Sequence, residues 1–140
     1  GYACEFYLDA KEKKYIDEAG AANFFGIKDN TYITPKSTSI LPSITNKSLM
    51  QLAEDLGLKV ERRPIAEEEL DTMEEAGACG TAAVITPINK IDDPDNGKTY
   101  ILAKGGKPGP VCTKLYEKYV AIQFGECDDP FGWTRVIEGI

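Results

Sequence analysis

The sequence predicts a single α/β domain. Three observations lead there: short apolar runs of strand length, two amphipathic stretches of helical period, and a turn signal between almost every pair. The first strands are expected at 4–8 (CEFYL), 14–18 (KYIDE) and 22–28 (AANFFGI and Lys28). Asp29-Asn30 reads as a tight turn into a strand at 31–34, which Pro35 ends. Ile44, Leu49, Leu52, Ala53 and Leu56 recur at helical spacing, so a helix is expected over about 45–56. Ser43 or Thr45 can cap its start, and Gly57 stops it. A strand at 58–62 follows, and Glu67, Glu68 and Glu69 suit the positive end of a second helix over about 67–76. Gly77 and Gly80 bracket an expected turn into a strand at 82–86. A polar hairpin at 92–97 joins strands near 88–91 and 99–103, and Pro110 opens a last helix of about 110–124 closed by Gly125. Phe131 and Trp133 are expected to cover one edge of the core.

Composition narrows the function. The 140 residues suffice for one domain with a real core, and 42% apolar with 28% charged residues is ordinary for a soluble globular chain. A net charge of −7, with Arg62–Arg63 as the densest basic pair, argues against a nucleic-acid surface. No run approaches the about 18 apolar residues needed to span a membrane. Histidine is absent, which removes the usual general base, the Ser/His and Cys/His dyads and every histidine metal site. Cys4, Cys79, Cys112 and Cys127 are far apart, contain no CxxC pair and read as reduced, small core residues, so the expected compartment is cytoplasmic. The chain opens Gly1-Tyr2-Ala3-Cys4-Glu5, neither a signal peptide nor an initiator methionine, and is expected to be a piece of something longer.

Three stretches carry chemistry. In YIDEAGAANFFGI (15–27), Asp17 and Glu18 are adjacent, so on a strand they point to opposite faces and one must point inward. An inward carboxylate needs a partner. ILPSITN (40–46) brings free backbone amides and the Thr45 hydroxyl to a helix start, an arrangement that binds phosphate. In CGTAAVITP (79–87), Gly80-Thr81-Ala82 forms a small-residue turn whose amides can approach an anion closely. Taken singly, the last two read as a capped helix and a tight turn. Together, the three suit a phosphate ester carrying a protonated nitrogen, plus a carboxylate substrate. The acidic run 92–97 lacks a calcium loop's pattern, with Pro94 at a ligand position and Ala103 where the closing Glu belongs. Gly105-Gly106-Lys107-Pro108-Gly109 lacks the P-loop spacing.

On these residues, with VERRPI, GKPGPVCTKLY and FGW in the same order, the chain resembles the C-terminal large domain of branched-chain aminotransferases. These are pyridoxal-phosphate (PLP) enzymes of fold type IV. The resemblance covers the whole chain, 1–140, and implies a mixed (α+β) pseudo-barrel flanked by helices. It implies that Glu18 pairs with the pyridine nitrogen of PLP. It gives Ile44 and Thr45 the phosphate, through amides and the Thr hydroxyl, and Thr81 a further phosphate contact. The amides of Thr81 and Ala82 match the turn that receives the substrate carboxylate, and Ala21 and Ala22 lie close to the cofactor. No metal is implied. The implied activity is amino transfer between Leu, Ile or Val and 2-oxoglutarate, with amino acids and 2-oxo acids as partners and a homodimer or higher oligomer as the assembly. D-amino-acid aminotransferase and aminodeoxychorismate lyase share the framework, and a non-catalytic binding domain is the reading from another class.

Some positions depart from the family pattern. Ser43 replaces a usual Gly, Ala66 a usual Ser, and Ala83 and Thr86 stand where some animal relatives carry a redox CxxC. The family's Schiff-base lysine and small N-terminal domain match nothing here, since that lysine lies upstream of the strand at 4–8, and Lys11, Lys13 and Lys14 fall in no matching motif. The expectation is therefore a C-terminal fragment with no catalytic residue of its own, inactive alone and with its cofactor site empty.

Overall fold

The computed structural model describes residues 4–102 and 107–139. Its strands are β1 (Phe6–Leu8), β2 (Ile16–Ala19), β3 (Ala22–Lys28), β4 (Thr31–Thr34), β5 (Lys59–Arg62), β6 (Glu75–Gly80), β7 (Val84–Pro87), β8 (Lys90–Asp93) and β9 (Lys98–Ile101). Two α-helices, α1 (Ile44–Asp55) and α2 (Pro110–Gln123), and one 3-10 segment (Glu67–Thr72) complete it. The fold is mixed α/β, with seven strands in one sheet and β8–β9 as a separate hairpin.

Strand β3 organises the sheet. One edge pairs along its length with β6, from Asn23↔Cys79 to Ile27↔Glu75. The other edge is shared: its start pairs with β2 (Glu18↔Asn23) and its end with β4 (Gly26↔Ile33 to Lys28↔Thr31). The sheet forks between them, at Phe24. Asp29 and Asn30, at φ 48° and 56°, make the two-residue turn the sequence predicts, in the left-handed conformation that short Asx side chains tolerate. β4 and β5 are parallel, with α1 as their crossover, while the other pairs are antiparallel.

Alternation along β3 supplies both faces with large side chains. Phe25 and Ile27 join Tyr32, Leu49, Leu52, Cys79, Ile85, Cys112, Leu115 and Ile122 under the two helices. Phe24, on the other face, packs with Ile16, Ile33, Ile65, Leu70 and Tyr100 beneath the 3-10 segment and the hairpin. Phe131 and Trp133 stack at 4.4 Å and lie against the helical cluster, as expected.

The expected helix at 67–76 is a correction. Only 67–72 turn, as a 3-10 segment, and Glu75–Gly80 is a central strand, so Gly77 and Gly80 are strand residues rather than turn markers. EAGACG lacks the β-branched residues that announce a strand. It is a strand because it lies between β3 and β7, where small residues admit the Phe25 ring. A Cβ placed on Gly77 would lie 2.6 Å from Phe25 Cζ. The cysteines also need correction in part: all four are free, but only Cys79 and Cys112 are buried, and Cys4 is exposed. The expected strand 99–103 is β9, Lys98–Ile101, and residues 103 and 104 lie outside the described residues, as do Gly105 and Gly106 of the glycine-rich loop.

Candidate active site

Asp17 and Glu18 separate as adjacent strand residues must, but not as simple inward and outward positions. The β1–β2 register slips, pairing Tyr7 with Glu18 and Leu8 with Ile16, so Asp17 has no cross-strand partner. Asp17 is 8% exposed, and its Oδ1 is buried without a hydrogen-bond partner among the described residues. Glu18 is half-buried and lies opposite Asn23, on the face that carries Phe25, Cys79 and the helices.

Asn23 is the junction of the site. It faces Glu18 on one side and Cys79 on the other, and its Nδ2 donates to the carbonyl of Leu41 at 3.3 Å. That bond ties the segment entering α1 to the sheet face bearing Glu18. Next to it, a Cβ placed on Gly80 would lie 3.9 Å from the Cβ of Ala22. Ala22 therefore adjoins the end of β6, where the turn Thr81–Ala83 begins. Glu18, the start of α1 and the 80–82 turn thus converge on Ala22–Asn23, three stretches that lie far apart in sequence.

The start of α1 leaves backbone amides outside the helical ladder. Ser43 is its N-cap in an extended conformation, φ −110°, and Oγ accepts from Asn46 N at 3.1 Å. Ser in place of the family's Gly is thus accommodated and useful. The first helical bond runs from Lys47 N to Ser43 O at 3.0 Å, so the amides of Ile44 and Thr45 precede the intrahelical ladder. No acidic residue occupies the first turn to oppose a negative ligand. The Ile44 side chain is 82% exposed and Thr45 is buried. Thr81, Ala82 and Ala83 are exposed, and Val84, which ends the turn, takes φ 55° with its side chain in the helical core cluster. A β-branched residue is strained in that region, and its core packing holds it there.

A buried polar chain behind α1 escaped the sequence reading. Tyr32 OH donates to Asn46 Oδ1 at 2.7 Å, Asn46 Nδ2 to Thr34 Oγ1 at 3.0 Å, and Thr34 Oγ1 to the Phe24 carbonyl at 2.9 Å. The chain ends at the fork of the sheet, satisfying a carbonyl that neither β2 nor β4 reaches in the pairing. Burial holds the Tyr32 phenol well above its ordinary pKa, so it remains a donor. Burial likewise pushes the Cys79 thiol up to about 12, which leaves it protonated and a poor nucleophile. The only sequence signals for this chain were polar residues at apolar positions: Asn46 in the first turn of α1 and Thr34 in TYIT.

The donor set fits a PLP-type group. A half-buried carboxylate suits a protonated ring nitrogen, and unladdered amides at a helix start suit a phosphate. Among the described residues no cluster suits a metal ion, and no helix is long and apolar enough to cross a membrane.

With the mixed α/β fold and this geometry described, comparison gives the class: the chain belongs to the class IV amino-transferase family, whose model matches residues 6–91. Among sequence relatives, it is 48% identical to the branched-chain-amino-acid aminotransferase of Haemophilus influenzae, over 98% of this chain and 40% of that protein. Among solved structures, it is similar to the Escherichia coli branched-chain amino acid aminotransferase, with TM-score 0.82 and 33% identity over 95% of this chain and 41% of that one. A T.th. branched-chain amino acid aminotransferase, solved with pyridoxamine 5′-phosphate, superposes with TM-score 0.80 and 28% identity, over 95% of this chain and 41% of that one. The chain spans about two fifths of the length of the curated relatives it matches.

Proposed function

We propose that the protein containing this chain is a PLP-dependent branched-chain-amino-acid transaminase, moving an amino group between leucine, isoleucine or valine and 2-oxoglutarate. The observation that carries the reading is the convergence of Glu18, the start of α1 and the 80–82 turn on Ala22–Asn23. The relatives' names and the pyridoxamine 5′-phosphate in one structural neighbour support it.

In this reading the bound cofactor supplies the electron-withdrawing ring that allows an amino acid to lose its α-proton and exchange its nitrogen. Glu18 holds a proton on the ring nitrogen by charge pairing, which strengthens that withdrawal. The amides of Ile44 and Thr45, with the Thr45 hydroxyl, hold the phosphate, and the Thr81 hydroxyl adds a contact. The amides of Thr81 and Ala82 receive the substrate carboxylate. Ala22 sits next to Asn23 on β3 and beside Gly80, at the entry to the 80–82 turn, with its Cβ on the sheet face opposite Glu18.

An amino-donor screen of the complete protein tests the proposal. L-Leucine, L-isoleucine and L-valine should all support conversion of 2-oxoglutarate to glutamate. Turnover of D-alanine without L-leucine would instead place the protein with the D-amino-acid enzymes.

A further inference from the structure

We propose that Asn46 is a positioning residue: through Tyr32 and Thr34 it sets the phosphate-binding amides of Ile44 and Thr45 against the sheet that bears Glu18. The inference rests on the functional reading above and concerns how the chain maintains that site. A helix start and a carboxylate one strand away grip two ends of one rigid molecule only if their separation is fixed. α1 is tied to the sheet near its start by few directional contacts. Ser43 acts within the helix, and the bond from Asn23 to Leu41 O reaches the segment two residues before the cap.

Asn46 directly follows Thr45 and is 7% exposed. Its backbone N–H is held by Ser43 Oγ, its Oδ1 accepts from Tyr32 OH, and its Nδ2 donates to Thr34 Oγ1. Tyr32 and Thr34 alternate on β4, so two anchors on one strand fix the amide in both distance and rotation. Tyr32 is itself stacked on Phe25 at 4.8 Å and nearly parallel to it, 13° apart. Phe25 is two residues from Asn23 on β3, so the chain leads back to the strand that faces Glu18. Leucine at position 46 would also fill buried space, but it could not specify a rotation. A satisfied polar network can, because it has one arrangement in which all its partners are met.

The test uses apoprotein of the complete enzyme and compares two ligands, PLP and pyridoxal, which lacks the phosphate. The readout is the ratio of their dissociation constants. Asn46→Ala should weaken PLP about tenfold or more and change pyridoxal by less than about twofold. Tyr32→Phe, the milder variant, should shift the same ratio in the same direction. The double variant should match Asn46→Ala alone, since Tyr32 acts through Asn46. Thermal unfolding of each apoprotein records general destabilisation separately. Equal weakening of both ligands, or additive effects of the two substitutions, would overturn the proposal and leave Asn46 a packing residue. Failure of the unsubstituted apoprotein to prefer PLP over pyridoxal would overturn the functional reading itself.

Discussion

The Glu75 carboxylate caps helix α2 from strand β6, and Gly109 is the residue that lets it in. Oε2 accepts from Val111 N at 3.1 Å and Oε1 from Cys112 N at 2.9 Å, while Gly109, the N-cap, offers no side chain. A Cβ on Gly109 would lie 2.0 Å from Glu75 Oε1. The helix start thus borrows its cap from a buried strand residue. Glu75→Gln should cost about 1–3 kcal/mol by denaturant unfolding, since one of the two amides then faces an NH2 group. Gly109→Ala should cost at least as much, because either the carboxylate or the helix must shift. Unchanged midpoints for both variants would contradict the cap.

Two strand glycines make a second prediction, one of contrast. At Gly77 a Cβ would meet the Phe25 ring at 2.6 Å, and that ring is wedged against Tyr32. At Gly26 a Cβ would meet Met73 Sδ at 2.5 Å, on a flexible side chain near its end. Gly77→Ala should therefore destabilise by about 1–3 kcal/mol, and Gly26→Ala by clearly less. Thermal unfolding of the pair, side by side, decides it.

These glycines also show where sequence reading stops. Strands β3 and β4 were legible because NFF and TYIT alternate large side chains and Asp29-Asn30 marks the turn. Both helices were legible through caps and spacing. Glu75–Gly80 was not, because its strand state comes from its neighbours: Phe25 and Ile85 fill the space that its own side chains leave. The proposed site residues Glu18, Ile44, Thr45, Thr81, Ala82 and Ala22 rest on resemblance, in stretches whose local pattern allows a plain cap and a plain turn. Asn23, Tyr32, Thr34 and Asn46 were missed because their roles exist only once β2, β4 and α1 meet at the fork.

Glu67 gives a pH dependence. Burial, reinforced by the Asp93 carboxylate, raises its pKa from 4.5 to about 7, with Glu68 adding to the rise and Lys98 opposing it. A carboxyl group with a raised folded pKa binds more protons folded than unfolded, so its contribution to stability falls as pH rises from about 4.5 to 7. Glu69, held low first by its hydrogen bonds from Arg63, acts in the opposite direction at lower pH. The prediction is therefore a difference: Glu67→Gln should be more stable relative to the parent at pH 8 than at pH 5. Parallel stability profiles for the two proteins between pH 4.5 and 7.5 would refute the assignment.

Asp17 and Glu18 are neighbours with opposite expectations. Asp17 is the more buried, and its Oδ1 is a buried acceptor with no hydrogen-bond partner among the described residues. Glu18 shares its face with Asn23 and the start of α1, where the proposed ring nitrogen would meet it. Asp17→Asn should raise stability by about 1 kcal/mol and leave turnover within about twofold. Glu18→Gln should leave stability nearly unchanged and lower kcat on the order of 100-fold in the complete protein, because the ring nitrogen loses its ion partner. Unfolding midpoints and leucine turnover for both variants provide the check. If Asp17→Asn abolishes turnover while Glu18→Gln keeps it, the two carboxylates have been assigned the wrong way round.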